Sequence, residues 1–314
     1  MATMKAIQLH AYGGAGDLHF EDAPRPSVGD GEVLIRVHAT TVNPFDTAAR
    51  AGYMAGWYPY SFPLIPGLDL AGVVVSVGAG VDDFAPGDEV YGRSDPAHLG
   101  ANAEYASIAA ADLALKPASL SFAEAASLPH SALSAWRALV DGANIGAGQK
   151  VLIHAAAGGV GTVGVQLAKA RGAYVIATAS GPKLDLVRQL GADEVIDYTA
   201  GPFEDAVHDV DIVLDTVGGD TQARSWGVLK PGGILVSLVQ PPDAEAAAAR
   251  GARQQFAMAL GPAHDILAAL TDLVEQGRVR PVIDSVLPLA EAAAAHAKVE
   301  GRHTTGRVVL EVAS

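Results

Sequence analysis

Three glycines in the run Ala156-Ala157-Gly158-Gly159-Val160-Gly161-Thr162-Val163-Gly164 have the spacing G-x-G-x-x-G, at Gly159, Gly161 and Gly164. Such a spacing serves a tight turn, close approach of the backbone to a pyrophosphate, and tight packing of a helix on the strand before it. The N-terminus of a helix starting there attracts phosphate through its N–H groups. The apolar run Val151–Ala155 precedes the glycines, and Val165-Gln166-Leu167-Ala168-Lys169 follows at helical spacing. That strand–turn–helix setting separates a dinucleotide site from an ordinary glycine-rich turn. The backbone of Gly158, Gly159, Val160 and Gly161 is therefore the expected phosphate cradle.

The next apolar strand ends in Ala177-Thr178-Ala179-Ser180-Gly181-Pro182-Lys183. An NAD site usually carries an acid at the end of this strand, on the ribose hydroxyls. Here the first acid downstream is Asp185, already inside the following helix. A carboxylate would repel a 2′-phosphate, whereas a hydroxyl and an ammonium would bind one. Ser180 and Lys183 thus point to NADPH as the cofactor.

Strand candidates Val151–Ala155, Tyr174–Ala179, Glu194–Asp197, Ile212–Asp215 and Ile234–Val239 alternate with helical segments. Alternation on this scale predicts a parallel, doubly wound α/β sheet. Residues 4 to about 125 read differently, as short β segments between Gly/Pro turns. Glu32–Ala39 alternates apolar and polar residues, and Ala71–Val77 is a continuous β-branched run. Helical spacing covers Phe122–Val140, and the Ala-rich stretch Ala244–Ala249 is a helix or a mobile loop. The tail carries a helix around His264–Gly277 and strands at Val282–Leu287 and Arg307–Val312. The expected architecture is a Rossmann domain (126–264) inserted between two parts of a β-rich domain (1–125 and 265–314).

The chain has 314 residues, enough for two domains, and no cysteine, which removes disulfides, Cys zinc sites and thiolate catalysis. A net charge of −14 argues against nucleic acid or an anionic membrane surface as a partner. No apolar run reaches the length of a membrane span, and a cytoplasmic protein is the expectation.

The segment Val151–Lys169 resembles the cofactor loop of the zinc-free quinone oxidoreductases, a branch of the medium-chain dehydrogenase/reductase superfamily. So do Asn43-Pro44-Phe45-Asp46, Ile65-Pro66-Gly67-Leu68-Asp69, Pro86-Gly87-Asp88-Glu89-Val90, Asp215-Thr216-Val217-Gly218-Gly219 and Gly306-Arg307-Val308-Val309-Leu310, in family order across the chain. The resemblance implies a GroES-like β-rich catalytic domain, a Rossmann domain and a cleft between them. It also implies that Ser180, Lys183 and Tyr198 surround the adenosine 2′-phosphate, that Arg307 approaches the cofactor phosphates, and that Leu238 and Val239 pass the nicotinamide. A homodimer through an edge strand near Ile234–Val239 is a further family-level expectation.

Departures from the zinc enzymes of that superfamily are informative. Asn43 stands where their early cysteine lies, and Gly67-Leu68-Asp69 replaces their Gly-His-Glu. Leu68 cannot ligate a metal, so no metal is expected and the substrate must already be electrophilic: a quinone or an α,β-unsaturated carbonyl. Asn43 is the first candidate for polarising the substrate or holding the nicotinamide ribose, since its amide both donates and accepts; its alternative is a turn residue before Pro44. Tyr53 matches the family's Gly-x-Tyr region and is the candidate donor of a proton or hydrogen bond, with Tyr58 or Tyr60 as substitutes; its alternative is an aromatic wall of the substrate pocket. Asp46 reads as a cleft residue or a helix cap, His130 as packing or capping, and Asp215 as a ligand-edge residue or a turn cap. Reduction of an enoyl thioester or polyketide enone is the rival enzyme reading, and an NADPH-binding sensor or structural protein the non-enzymatic one.

Overall fold

The computed structural model describes residues 2–312, which divide into two compact units. One comprises residues up to His130 together with 261–275 and the chain from Pro281 on; the other holds Ser131–Leu260 and Gln276–Arg280. The short piece 276–280 joins the second unit because Gln166 bonds both the N–H and the carbonyl of Arg280, and Arg278 donates to the Ala170 carbonyl.

The first unit begins with an antiparallel pair, β1 (Thr3–Leu9) and β2 (Leu18–Pro24). Next come β3 (Glu32–Val42), helix α1 (Pro44–Arg50), β4 (Asp69–Val77), β5 (Glu89–Arg93), β6 (Tyr105–Ala109) and β7 (Leu113–Leu115). β3 is more deeply buried than its alternating sequence suggests, with only Arg36 exposed along it. It is paired on both sides, with β4 and with the C-terminal strand. The helical spacing of Phe122–Val140 resolves into three pieces: α2 (Phe122–Ala126), α3 (Pro129–Trp136) and a π-helical turn, Arg137–Gly142. α2 is capped reciprocally by Ser121 and Glu124. Pro129, lacking an N–H, can begin α3 but not continue α2.

The second unit contains β8 (Lys150–Ile153), α4 (Gly159–Ala170), β9 (Tyr174–Ala179), α5 (Leu184–Gln189), β10 (Glu194–Asp197) and β11 (Val210–Asp215). After α6 (Gly219–Ser225) and β12 (Leu229–Ser237) come α7 (Ala244–Arg250) and β13 (Arg253–Phe256). The strand order is β10-β9-β8-β11-β12-β13, every pair parallel. This is the doubly wound order, and its direction reverses between β8 and β11, where ligands bind beyond the carboxyl ends of the strands. The Ala-rich stretch is the helix α7, capped by Asp243 on the N–H groups of Glu245 and Ala246.

The edge strand expected near Ile234–Val239 is not an edge. β12 is bonded to β11 on one side and β13 on the other. β13 carries no strand signal in its sequence, since Arg253-Gln254-Gln255-Phe256 lacks an apolar pattern.

The chain then returns to the first unit with α8 (His264–Glu275), β14 (Ile283–Pro288), α9 (Ala292–Glu300) and β15 (Arg307–Glu311). β15 lies between β14 and β3, which brings Arg307 into the body of the seven-stranded sheet. Ile35, Val37, Leu68, Leu70 and Leu310 are in this unit's core, and Leu152, Phe203, Val213, Trp226 and Leu235 are in a core of the other.

Candidate functional site

In the second unit, β8 turns through Ala155, whose φ of 47° is left-handed for a residue with a side chain. α4 then starts at Gly159 with Gly158 as its N-cap. No side chain caps this end and its first turn holds no acid, so N–H groups that lack intrahelical acceptors remain for an anion. A Cβ on Gly161 would lie 2.4 Å from the Ala155 carbonyl oxygen and 2.6 Å from Ala156 Cα. Only glycine permits this approach of helix to turn. A Cβ on Gly164 would meet the Leu214 side chain at 3.2 Å, consistent with helix packing on β11.

At the carboxyl end of β9, Ser180 stands at the N-cap position of a short 3-10 turn, Gly181–Lys183, without a side-chain capping bond. Tyr198 follows β10 and is 55% exposed. β9 and β10 run side by side, Ala179 opposite Asp197, so the structure brings Ser180, Lys183 and Tyr198 to one corner of the sheet. It brings Asp197 there too, an acid that linear distance had hidden.

Asp215 closes β11 and is fully buried. One carboxylate oxygen accepts from the N–H groups of Val217 (2.9 Å) and Gly218 (2.8 Å). The other accepts from Gln222 Nε2 and Ser237 Oγ, both at 2.9 Å. Gln240 continues the network to Gln222 and to the Gly219 N–H. All four bonds of Asp215 are internal, so it ties the loop after β11 to the end of β12. Leu238 and Val239 follow directly, with Val239 half exposed at the same rim. His154 lies beneath the glycine turn that opens α4, bonded to Thr178 and Ser225, and burial lowers it to about 4, so it is neutral packing.

In the first unit the sequence candidates converge on a buried polar cluster. Asn43 precedes α1, fully enclosed; its Nδ2 donates to Asp69 Oδ2 (3.0 Å) and Thr41 Oγ1 (3.2 Å). Asn43 Oδ1 and Asp46 Oδ1 are buried without a protein partner. Asp46 acts as a cap, its Oδ2 accepting the Asn43 N–H at 2.7 Å. The other Asp69 oxygen accepts the His130 N–H at 2.8 Å. Arg307 is buried on β15, and its charge faces Asp69 and Asp46. Burial pushes both carboxyls up, Asp46 to about 7, while Arg307 pulls against that rise. Burial, with Arg307 and Arg93 adding to it, holds His130 well below its ordinary value, hence neutral.

Tyr53 lies on the turn after α1 with 79% of its surface exposed. Tyr60 is buried and donates to the Pro96 carbonyl at 2.7 Å. Tyr58 stands between them in character, half-buried. Its ring is 6.0 Å from Phe45, which in turn lies 6.4 Å from the His130 ring beside the polar cluster. An aromatic path therefore leads to Tyr58 and Tyr60, and sequence spacing alone had favoured Tyr53.

The Asp46 shift carries a pH signature. In the fold it is pushed up to about 7 from the ordinary 3.8 of an aspartate, so the folded state holds the proton more tightly. That stabilisation is complete below about pH 4 and is lost as pH rises through 7. Asp46→Asn keeps an oxygen for the Asn43 N–H but cannot ionise. Wild-type stability should fall relative to this variant between pH 5 and 8, by about 3 kcal/mol. A difference in Tm that does not change with pH would show that the fold does not perturb Asp46.

Residues 29–134 match the family model described as alcohol dehydrogenase GroES-like domain, and residues 190–310 the one described as zinc-binding dehydrogenase. The NADPH-dependent alkenal/one oxidoreductase, chloroplastic, of Arabidopsis thaliana is 39% identical over 98% of this chain and 79% of its own length. The NAD(P)H oxidoreductase RTN4IP1, mitochondrial, of Danio rerio is 33% identical over 99% of this chain and 92% of its own. The solved quinone oxidoreductase from Coxiella burnetii superposes with a TM-score of 0.91 at 35% identity, over 99% of this chain and 100% of that one. The chain belongs to the quinone oxidoreductase-like branch of the medium-chain dehydrogenase/reductase superfamily.

As a member of that superfamily the protein is an oxidoreductase, with a GroES-like domain and a parallel-sheet Rossmann domain. The zinc in one matching description finds no donor set in this quinone oxidoreductase-like chain. It has no cysteine, and among the described residues no three His, Cys, Asp or Glu side chains are placed to hold a metal. Leu68, in the motif where the zinc enzymes carry histidine, is packed in the hydrophobic core. Among the described residues no helix is long and apolar enough to cross a membrane.

Proposed function

We propose that the protein is an NADPH-dependent, metal-independent reductase of quinones or α,β-unsaturated carbonyls. The observation that carries the reading is the free N-terminus of α4, uncapped and without an acid in its first turn, reached through a glycine that tolerates no side chain. Gly158, Gly159, Val160 and Gly161 would hold the pyrophosphate through backbone N–H groups. Ser180, Lys183 and Tyr198 would hold the 2′-phosphate, and Leu238 and Val239 would offer an apolar wall to the nicotinamide.

Bound NADPH supplies a hydride. The protein's own part is to position and to keep charges in place. Asn43 has both amide hydrogens committed to Asp69 and Thr41, so it has none left for polarising a carbonyl. Its open atom is an acceptor, which suits a ribose hydroxyl. Arg307, flanked by carboxylates, would present to a phosphate a charge already largely balanced. Tyr58 is a better-placed proton donor than the exposed Tyr53. With no Lewis acid among the side chains, the substrate must bring its own electron deficiency. Relatives named for alkenals, a 2-methylene-furan-3-one and quinones support that class.

NADPH and NADH consumption would be compared in chelator-treated buffer with 9,10-phenanthrenequinone, 1,4-benzoquinone, simple enones and crotonyl-CoA. NADPH-specific turnover with quinones or enones is expected. Turnover confined to crotonyl-CoA would favour the thioester reading, and tight NADPH binding without turnover on any of them would favour a sensor. Lys183→Ala should weaken NADPH binding about tenfold, the loss of one charge-assisted contact, and leave NADH within about twofold. An equal effect on both nucleotides would remove Lys183 from the 2′-phosphate.

A further inference from the structure

The turn that would receive the 2′-phosphate carries a carboxylate on its shoulder. Asp197 ends β10 opposite Ala179, the last residue of β9, so the two strands deliver Asp197 and Ser180 to the same corner. The carboxylate is held from two sides. Oδ1 accepts from the Thr199 N–H (2.9 Å) and the Thr199 hydroxyl (2.6 Å). The group also accepts from the Gly181 N–H, and a Cβ built on Gly181 would sit 3.1 Å from Oδ2. These bonds, the Thr199 hydroxyl first among them, hold the carboxyl below its ordinary range, so it is charged at neutral pH.

We propose that Asp197 is a specificity-determining residue that limits the preference of this site for 2′-phosphorylated nucleotides. The inference rests on the NADPH reading above and refines it. A fixed negative charge on the turn opposes a dianion bound to that turn, while a 2′-hydroxyl is tolerated or even accepted as a donor. Ser180 and Lys183 pull toward the phosphate and Asp197 pushes against it. Selectivity is then their difference, not the sum of favourable contacts. An acid serving NAD specificity is ordinarily sought on the second strand of a Rossmann sheet; here it arrives from the third.

The test uses equilibrium binding to the full-length protein, by fluorescence titration or calorimetry, without turnover. Four ligands are compared in pairs: NADPH with NADH, and 2′-phospho-ADP-ribose with ADP-ribose. Asp197→Asn preserves shape, and Asp197→Ala serves as the second variant. At low salt both should bind the two 2′-phosphorylated ligands about fivefold more tightly, as expected for removing one like charge across a solvated corner. NADH and ADP-ribose should stay unchanged or bind more weakly. The gain should shrink toward unity near 1 M salt, where screening acts within about 3 Å. Weaker binding of all four ligands would show that Asp197 only braces the turn, and would overturn the assignment. So would an equal gain for both members of a pair, or a gain indifferent to salt. Tighter binding of NADH than NADPH by the wild type would overturn the cofactor reading instead; the change in ratio on substitution would still decide the role of Asp197.

Discussion

Replacing Gly161 with valine is expected to abolish dinucleotide binding while the first unit stays folded. The reason is distance. A Cβ at this position meets the Ala155 oxygen at 2.4 Å, Ala156 Cα at 2.6 Å and the Ala156 carbonyl carbon at 2.8 Å. All three are backbone atoms of the turn that would carry the pyrophosphate, so no side chain can rotate away. The helix must lift from the turn, and where groups must be held in register a misplacement of about 1 Å can cost on the order of 100-fold. Gly158 provides the internal comparison, because its Cβ would meet only the Ala155 oxygen, at 3.2 Å. Titration with NADPH should therefore show loss beyond about 100-fold for Gly161→Val and a much smaller loss for Gly158→Ala. Binding by Gly161→Val within tenfold of wild type would mean that phosphates are held elsewhere.

Substituting Arg307 with methionine should produce the largest loss of stability of any single change in the first unit. Arg307 is 5% exposed and Asp46 and Asp69 are fully buried, so the carboxylates would lose their counter-charge with no water to replace it. Breaking such a buried set from one side costs about 3–5 kcal/mol, which for a unit of this size lowers Tm by on the order of 10 °C. The deficit should narrow as pH falls and the carboxyls take up protons, and Asp69→Asn in the same chain should restore part of it. Thermal melts at pH 5 and 8 on the two single variants and the double variant would measure both effects. A deficit below about 1 kcal/mol at pH 8 would show that the guanidinium contributes nothing to holding these acids.

Much of this was legible in the residues, and the misses have identifiable causes. β9 and β10 were found at their full extents because Tyr174–Ala179 and Glu194–Asp197 are bounded by turn residues on both sides. β13 has no such signal, because Arg253-Gln254-Gln255 places three polar residues in a row in a strand of four. The glycine turn into α4 is a local pattern, and local patterns survive in a linear reading. Asp197 and the Asn43–Asp69–Arg307 cluster are not local. Asp69 lies 26 residues from Asn43, and Arg307 reaches them only because β15 slots beside β3. No periodicity carries such information. Tyr53 illustrates the converse: motif spacing favoured it, and exposure argues for its neighbour Tyr58.

The Asp215 network bears on how the second unit spends entropy. After β11 the chain passes through Gly218 and Gly219, both at positive φ, into α6, and after β12 it runs through Leu238–Asp243 to α7. Asp215, Gln222, Ser237 and Gln240 cross-link these two segments before any ligand arrives. A rim ordered in advance does not have to be ordered at the moment of binding, so less of the association free energy is consumed in freezing chain motion. Cutting the link with Asp215→Asn would shift that ordering into the binding event, where calorimetry reads it as a more unfavourable entropy of nucleotide association.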